Sequence, residues 1–165
     1  MAADGKAMDA LSQALKLEQD GYAFYHRALE RVQDATCREM LISLAEDEKV
    51  HEAMIARQMQ ALREEGGFVV VPGAVPGDAD LSARLFPPDP ARASKKVGSL
   101  STELEVIQMA LEIEVDSYDY YRQASEASDD PEGRLVFRWL AEAEQTHFNL
   151  LMSNYEAINQ RATWA

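Results

Sequence analysis

Apolar and aromatic residues recur along this chain at alternating intervals of three and four, the spacing of residues that share one face of an α-helix. Four segments carry such a stripe, and polar residues fill the positions between. The stripes comprise Met8, Leu11, Leu15, Tyr22, Tyr25 and Leu29; Leu41, Leu44, Ile55 and Leu62; Leu104, Ile107, Leu111, Tyr118 and Tyr121; and Phe137, Leu140, Leu151 and Ile158. The pattern predicts four amphipathic helices and therefore an all-α fold.

Residues typical of helix starts mark the boundaries of these segments. Asp34 is suited to cap the second helix, and Thr102 with Glu105 has the form of a capping box for the third. Asp130 followed by Pro131 suits the start of the fourth, since proline is favoured at the first helical position. Two helical hairpins are predicted, over about residues 7–65 and 101–160.

The segment between the hairpins, about residues 66–98, differs in composition from the rest of the chain. It contains five of the eight glycines and five of the six prolines, which forbids one continuous helix. A connection of this length can run the full height of a bundle, which would make the second and third helices parallel. At 165 residues the chain is predicted to form a single domain, residues 1–165.

Charge and cysteine content narrow the class of protein. With 29 acidic and 16 basic residues the net charge is −13, so nucleic acid and anionic membrane surfaces are poor candidate partners. Cys37 is the single cysteine, which excludes an intrachain disulfide and a thiolate metal cage. The N-terminus lacks the features of a signal peptide and no apolar run is long enough to span a membrane. We expect a cytoplasmic protein.

The two predicted hairpins are related by an internal repeat. Sliding the first along the sequence by 96 residues superimposes it on the second without a gap, so that Ala14 falls on Ala110 and Leu44 on Leu140. Three ionisable pairs keep this register: Glu18 with Glu114, Glu48 with Glu144, and His51 with His147. The chain is therefore interpreted as a duplicated helical hairpin.

The phase of these six residues points to a metal centre. Each fills a gap in an apolar stripe where the spacing demands a core residue, and four uncompensated carboxylates in one core would cost several kcal/mol or change protonation. The stripes contain no Lys or Arg, so two divalent cations are the predicted counter-charge. Carboxylate and imidazole ligands suit iron, with manganese or zinc as alternatives.

The spacing of the six also suggests how two ions would be shared. Residues three apart lie on one helix face, so the pair Glu48 and His51 can hold one ion, and the equivalent pair in the fourth helix the other. Glu18 and Glu114, from the remaining helices, can then bridge the ions. The metal ligands predicted from the sequence are Glu18, Glu48, His51, Glu114, Glu144 and His147.

Other polar residues of the repeat are weaker candidates. Tyr22 and Tyr118 lie one turn beyond the lone glutamates and could donate hydrogen bonds to them, although core packing alone would also place aromatic residues there. His26 lies off the stripe, and a surface role is expected for it. A buried or idle role is expected for Cys37.

A lone Glu in the first helix, E-x-x-H in the second, a long crossover, and then Glu and E-x-x-H again resembles the rubrerythrin branch of the ferritin-like superfamily. The likeness covers nearly the whole chain, and the family's ligands carry over onto the six residues named above. The resemblance implies a ferritin-like four-helix bundle, a non-haem di-iron centre that reacts with peroxide or dioxygen, and a homodimer.

Two departures from the rubrerythrin pattern bear on function. Rubrerythrins usually carry a C-terminal rubredoxin domain with four cysteines, for which this chain has neither the length nor the thiols, so electrons would come from a separate donor. They typically place another glutamate one turn past the helix-three ligand, linked to iron movement during peroxide turnover, and that position holds Ser117 here. Peroxidase activity is the less secure part of the resemblance.

The leading functional hypothesis is an oxidoreductase of the peroxide-reductase or ferroxidase type that acts on H2O2 or O2. The first alternative is an iron-binding or storage module without turnover, as the likeness to ferritins allows. The second is a metal-free acidic bundle that acts as an interaction protein, which would bind no metal.

Overall fold

The computed structural model describes residues 2–70 and 102–163. They form four α-helices: α1, Ala2–Ala28; α2, Ala35–Glu64; α3, Thr102–Ala127; and α4, Pro131–Thr163. No strand occurs within those two ranges. The predicted all-α four-helix fold is confirmed. Most of the predicted crossover, residues 71–98, lies outside the described residues, so its course stays a prediction.

The helix boundaries follow from local hydrogen bonding. The Asp34 side chain accepts a hydrogen bond from the Cys37 amide at 2.9 Å, which confirms Asp34 as the cap of α2. The Asp130 side chain accepts from the amides of Glu132 and Gly133 at 2.8 and 3.1 Å and caps α4 in the same way. α1 begins at Ala2, several residues before the first stripe residue, because a helix can extend past the part of it that is buried.

Contacts between the hairpins fix the directions of the helices. The amides of Gln33 and Asp34, just after α1, donate to Glu103 at the start of α3, at 3.0 and 3.3 Å. At the other end, the Tyr120 hydroxyl of α3 donates to the Ala10 carbonyl of α1 at 2.7 Å. α1 and α3 are therefore antiparallel. Because each hairpin is itself antiparallel, α2 and α3 run in the same direction.

The core consists of two apolar clusters, one toward each end of the bundle. The first apolar cluster surrounds the α1–α2 turn and contains Tyr25, Ala28, Val32, Cys37, Met40, Leu41, Leu44, Ala45, Leu104, Val106, Ile107, Ala110, Leu151 and Tyr155. The second surrounds the α3–α4 turn and contains Leu11, Ala14, Ile55, Leu62, Phe68, Tyr118, Tyr121, Val136, Phe137, Leu140 and Ala141. On each helix a buried glutamate lies between the clusters, and in α2 and α4 it is accompanied by a buried histidine.

Candidate metal centre

The six ionisable residues singled out by stripe phase lie together in the middle of the bundle. We call them the polar layer: Glu18, Glu48, His51, Glu114, Glu144 and His147. All are buried, and none exposes more than 4% of its surface. Burial of charged groups to this degree is rare unless they are paired or bind a metal, so the layer requires a source of positive charge.

Within the polar layer the ligand atoms form two overlapping groups, each with its members within 4.8 Å of one another. One group is Glu18, Glu48, His51 and Glu144; the other is Glu48, Glu114, Glu144 and His147. Each group can hold a metal ion, since three or four carboxylate and imidazole donors converge on one point. Glu48 and Glu144 belong to both groups.

The sequence suggested that the lone glutamates, Glu18 and Glu114, bridge the two ions. In the structure the residues common to both ligand groups are instead Glu48 and Glu144. The Nδ1 atom of His51 lies 3.1 Å from Glu18 and 3.5 Å from Glu144. The Nδ1 atom of His147 lies 3.4 Å from Glu114 and 3.5 Å from Glu48. The Nδ1 atom of each histidine therefore lies beside the carboxylates of a lone glutamate and of the E-x-x-H glutamate in the other hairpin. It is not paired with the glutamate of its own E-x-x-H motif.

The geometry of one helix explains the difference. Residues three apart share a face, but they are offset by about 4.5 Å along the axis. The glutamate and histidine of one motif can still join the same ligand group, as Glu48 and His51 do, but the carboxylates beside the histidine Nδ1 atom come from other helices. This cross-helix pairing cannot be read from spacing within a single helix.

Two tyrosine hydroxyls hold the lone glutamates from the sides. Tyr25 donates to the Oε1 atom of Glu114, and Tyr121 donates to the Oε1 atom of Glu18. Tyr25 belongs to the first apolar cluster and Tyr121 to the second, and the two tyrosines occupy equivalent positions of the repeat. Each hairpin thus orients a carboxylate of the other.

The structure gives this role to tyrosines other than the candidates Tyr22 and Tyr118. The ring of Tyr22 lies 5.5 Å from that of the exposed His26 and beneath the Lys49 ammonium group. Burial raises the pKa of Tyr118, and the charges of Arg122 and Asp119 shift it in opposite directions. The prediction considered donors on the same helix, whereas the actual donors cross from an antiparallel one. The register of Tyr25 with Tyr121, seven residues after each lone glutamate, was the available signal.

The two histidines have different surroundings on their outer sides. The Nε2 atom of His147 lies 3.4 Å from the exposed carboxylate of Asp47, while the ring of His51 meets the edge of Trp139 at 5.3 Å. Ala143 stands where the repeat would place a second aspartate. The two duplicated hairpins therefore have the same ligand residues, but the residues that contact the outer sides of the two histidines differ.

Burial and mutual repulsion set the protonation of the metal-free layer. Desolvation, followed by the charge of Glu114, raises the pKa of Glu144 well above 4.5, and desolvation likewise raises that of Glu48. Burial also tends to raise the pKa of Glu18, but hydrogen bonds from His51 and Glu48 outweigh it and lower this pKa. Without cations, the layer therefore retains protons on some carboxyl groups.

His147 takes up positive charge for the same reason. Burial opposes its protonation, but the carboxylates of Glu114 and Glu48, at 3.4 and 3.5 Å from its Nδ1 atom, outweigh burial and raise the pKa of His147 to about 10. A divalent cation would remove the need for these protons, because it neutralises the same carboxylates. Protons and metal ions thus compete for one set of donor atoms.

The hydrogen-bond inventory of the core tests whether the layer fits metal ions. Among the residues the structure describes, three buried side-chain polar atoms make no hydrogen bond: Oε2 of Glu114, Oε1 of Glu144 and Nδ1 of His147. All three belong to the polar layer. Gln58 is equally buried, yet it donates to the Val69 carbonyl at 2.9 Å and accepts from its amide at 3.0 Å. Buried polar atoms without a hydrogen-bond partner, gathered in one cluster of carboxylates and imidazoles, fit the ligands of metal ions.

Comparison with protein-family models, with curated proteins and with solved structures gave no match. Within the described part of the chain, no helix carries a stretch that is both long and apolar enough to cross a bilayer. The functional interpretation therefore depends on the residues of the polar layer and on their geometry.

Proposed function

We propose that this protein holds two iron ions in the polar layer and acts as a di-iron oxidoreductase on hydrogen peroxide or dioxygen. The observation that carries the proposal is the pair of overlapping four-residue groups, which share Glu48 and Glu144. Two groups that share two carboxylates suit two cations a few ångströms apart, whereas a single cation in one group would leave two of the six residues unused.

The chain's own residues would divide the work of binding. Glu18 with His51, and Glu114 with His147, would serve as the terminal ligands of one ion each, while the shared glutamates would span both. Four carboxylates would balance the four positive charges of two ferrous ions, so the buried layer would become neutral. When bound, two ferrous ions would supply the two electrons that, with two protons, reduce hydrogen peroxide to water or dioxygen to hydrogen peroxide.

The residues around the ligands would keep the centre oriented. The hydroxyls of Tyr25 and Tyr121 hold the Oε1 atom of each lone glutamate, so the Oε2 atoms, which lie beside His51 and His147, would be the ones that bind the metal. Burial, with the nearby glutamates, raises the pKa of both tyrosines well above 10, so their protons stay in place to donate. Glu114 and Glu18 would therefore be held in one orientation.

Burial of the layer supports a small oxidant as the substrate. No ligand exposes more than 4% of its surface, so a diatomic or triatomic molecule, or peroxide, is of a size to reach the ions, and a large organic substrate is not. The net charge of −13 favours cations over anions near the protein. Electrons for repeated turnover would come from a separate donor.

The order of the ligands along the chain supports a place in the rubrerythrin branch of the ferritin-like superfamily. Rubrerythrin-like chemistry, a homodimer and a cytoplasmic location are parts of this proposal. Ser117 stands where rubrerythrins have a further glutamate, which favours a peroxide or dioxygen reaction that does not need movement of iron toward that position.

A single-turnover experiment tests the proposal. The protein is loaded anaerobically with Fe(II), mixed with one equivalent of H2O2 or with O2, and followed by the absorbance of the ferric product. We expect fast, stoichiometric oxidation that is lost in Glu114→Ala and kept in Glu112→Ala, which removes an exposed carboxylate from the same helix. Bound Fe(II) that reacts no faster than free Fe(II) would contradict the oxidoreductase and leave iron binding or storage.

A further inference from the structure

Gly21 is an unexpected residue in the middle of α1. It is buried, and it follows the ligand Glu18 by three residues, on the face that looks toward the polar layer. Glycine in a helix interior destabilises the helix relative to alanine, because it loses more backbone freedom on folding. No turn or positive φ explains it, since within the described residues the one glycine with a positive φ is Gly66.

The reason for glycine lies on the neighbouring helix. A Cβ atom at position 21 would lie 3.3 Å from both Cδ and Oε2 of Glu48, and 3.6 Å from its Oε1. The backbone of α1 therefore passes directly against the carboxylate that both ligand groups share. At Gly5 on the same helix, an added Cβ would meet nothing within 4 Å.

The Glu48 carboxylate is enclosed by other groups of the core. Glu48 exposes 3% of its surface, and its Oε1 atom lies 3.5 Å from Nδ1 of His147. The repeat places Ser117 opposite Gly21, so the second half of the molecule has a Cβ and a hydroxyl at the equivalent position. The absence of a side chain at this position is therefore particular to the first half.

We propose that Gly21 is a positioning residue that fixes where the shared Glu48 carboxylate lies, and through it the affinity for both metal ions. This inference rests on the proposed function only in taking the polar layer as a metal centre. A side chain at position 21 would press Glu48 toward His147 and away from the point where the two ligand groups meet. Because Glu48 belongs to both groups, both ions would be bound more weakly, whereas loss of a terminal ligand would affect one.

Two single variants separate positioning from helix stability. Gly21→Ala and Gly5→Ala make the same chemical change on the same helix, but only the first meets a ligand. Each is titrated anaerobically with Fe(II), and with Co(II) as a spectroscopic probe of ligand geometry. We expect Gly21→Ala to bind both ions about tenfold more weakly, the lower end of the cost of substitutions next to metal ligands, and to change the Co(II) spectrum. Gly5→Ala should bind as the wild type does.

A double-mutant cycle tests the same contact without metal. In the Glu48→Ala background an alanine at position 21 has no carboxylate to meet, so Gly21→Ala should raise the melting temperature of the metal-free protein by about 2–4 °C. In the wild-type background, that gain should be absent or reversed. This cycle remains informative if Gly21→Ala alone folds poorly, because relief by Glu48→Ala would then restore folding.

The outcomes distinguish this inference from the proposed function. If wild-type protein bound neither Fe(II) nor Co(II), the metal centre itself would be refuted. If the wild type bound two ions and Gly21→Ala bound them with equal affinity and an unchanged Co(II) spectrum, the role of Gly21 would be refuted and the metal centre would stand. An equal gain in melting temperature in both backgrounds of the cycle would also overturn it.

Discussion

The apolar clusters and the polar layer are built on the same four helix stripes, yet they are stabilised differently. In the clusters, side chains such as Leu44 and Leu140 are fully buried and are stabilised by packing and by removal from water. In the layer, equally buried carboxyl groups lose their hydration and retain unpartnered atoms. The clusters can therefore form from the chain alone, whereas the layer requires protons or cations.

Gln58 and the two donor tyrosines show how buried polar groups outside the polar layer are satisfied by hydrogen bonds. Gln58 is a buried polar side chain of α2 whose amide group is satisfied by the backbone of Val69. Tyr25 and Tyr121 pack within the clusters and direct only their hydroxyls at the layer. Among the residues that the structure describes, the buried side-chain polar atoms without a protein partner all belong to the six ligands, which is the physical reason to assign a cation-binding role to this layer.

The largest effect on stability should come from the clusters and should not depend on metal. Leu44→Ala removes a fully buried side chain from the first apolar cluster and should cost about 2–5 kcal/mol of unfolding free energy, because it leaves a cavity. Urea denaturation measures this loss with and without Fe(II). A cost that disappeared when metal was bound would show that the cluster and the layer are not separate.

The next largest effect should come from the layer and should depend wholly on metal. Fe(II) at ten times its dissociation constant should stabilise the wild type by about 2.8 kcal/mol, about 1.4 kcal/mol for each of two sites, since it binds the folded state alone. Glu144→Gln should abolish this gain while leaving the metal-free protein as stable as before, because the carboxyl group already retains a proton there. Glu156→Gln, an exposed change on the same helix, serves as the control and should retain the full gain.

The stability of the metal-free protein should fall as the pH rises. Folding raises the pKa of His147 from 6.5 to about 10, so its contribution is complete below pH 6.5 and is lost as the pH rises toward 10. The raised pKa values of Glu48 and Glu144 act in the same direction, whereas the lowered pKa of Glu18 acts against it only at acidic pH.

Thermal melts between pH 6 and pH 9 measure this effect. Each pKa unit corresponds to about 1.4 kcal/mol, so even one unit should lower the melting temperature by about 3–5 °C for a chain of this size. Bound metal should flatten the dependence, because it displaces the protons. A metal-free melting temperature that rose over this range would be the opposite of what the buried layer requires.

The smallest effect should come from the two hydroxyls that join the clusters to the layer. Tyr25→Phe and Tyr121→Phe each remove one hydrogen bond to a buried carboxylate and should cost about 1 kcal/mol, with similar values because the two positions are equivalent in the repeat. Tyr22→Phe is the matched control, since its ring packs against His26 outside the layer. Equal losses in all three variants would contradict the assignment of the donors.

Much of this structure follows from the sequence, because helix phase is a local property. The stripe spacing predicted the four helices, Asp34 was identified as a cap, and the same phase singled out the six residues that the fold brings together. Duplication strengthened that inference, since it repeated the ligands in register. The residues that share the buried face of a helix could be predicted from their order in the sequence.

Relations between helices could not be predicted in this way. Which glutamates are shared depends on how far each side chain reaches across the bundle, and the sequence suggested Glu18 and Glu114 where the distances favour Glu48 and Glu144. The tyrosine donors were missed for the same reason. The close approach of Gly21 to Glu48 depends on the distance between α1 and α2, which no stripe reveals.

The most direct test of the metal centre is an anaerobic Fe(II) titration that counts bound ions and released protons together, preceded by elemental analysis of protein purified from its own host. We expect saturation at two Fe(II) per chain, with protons released as the carboxyl groups and His147 give them up to the metal. An absence of saturable binding, with the metal-free bundle equally stable at every pH, would contradict it.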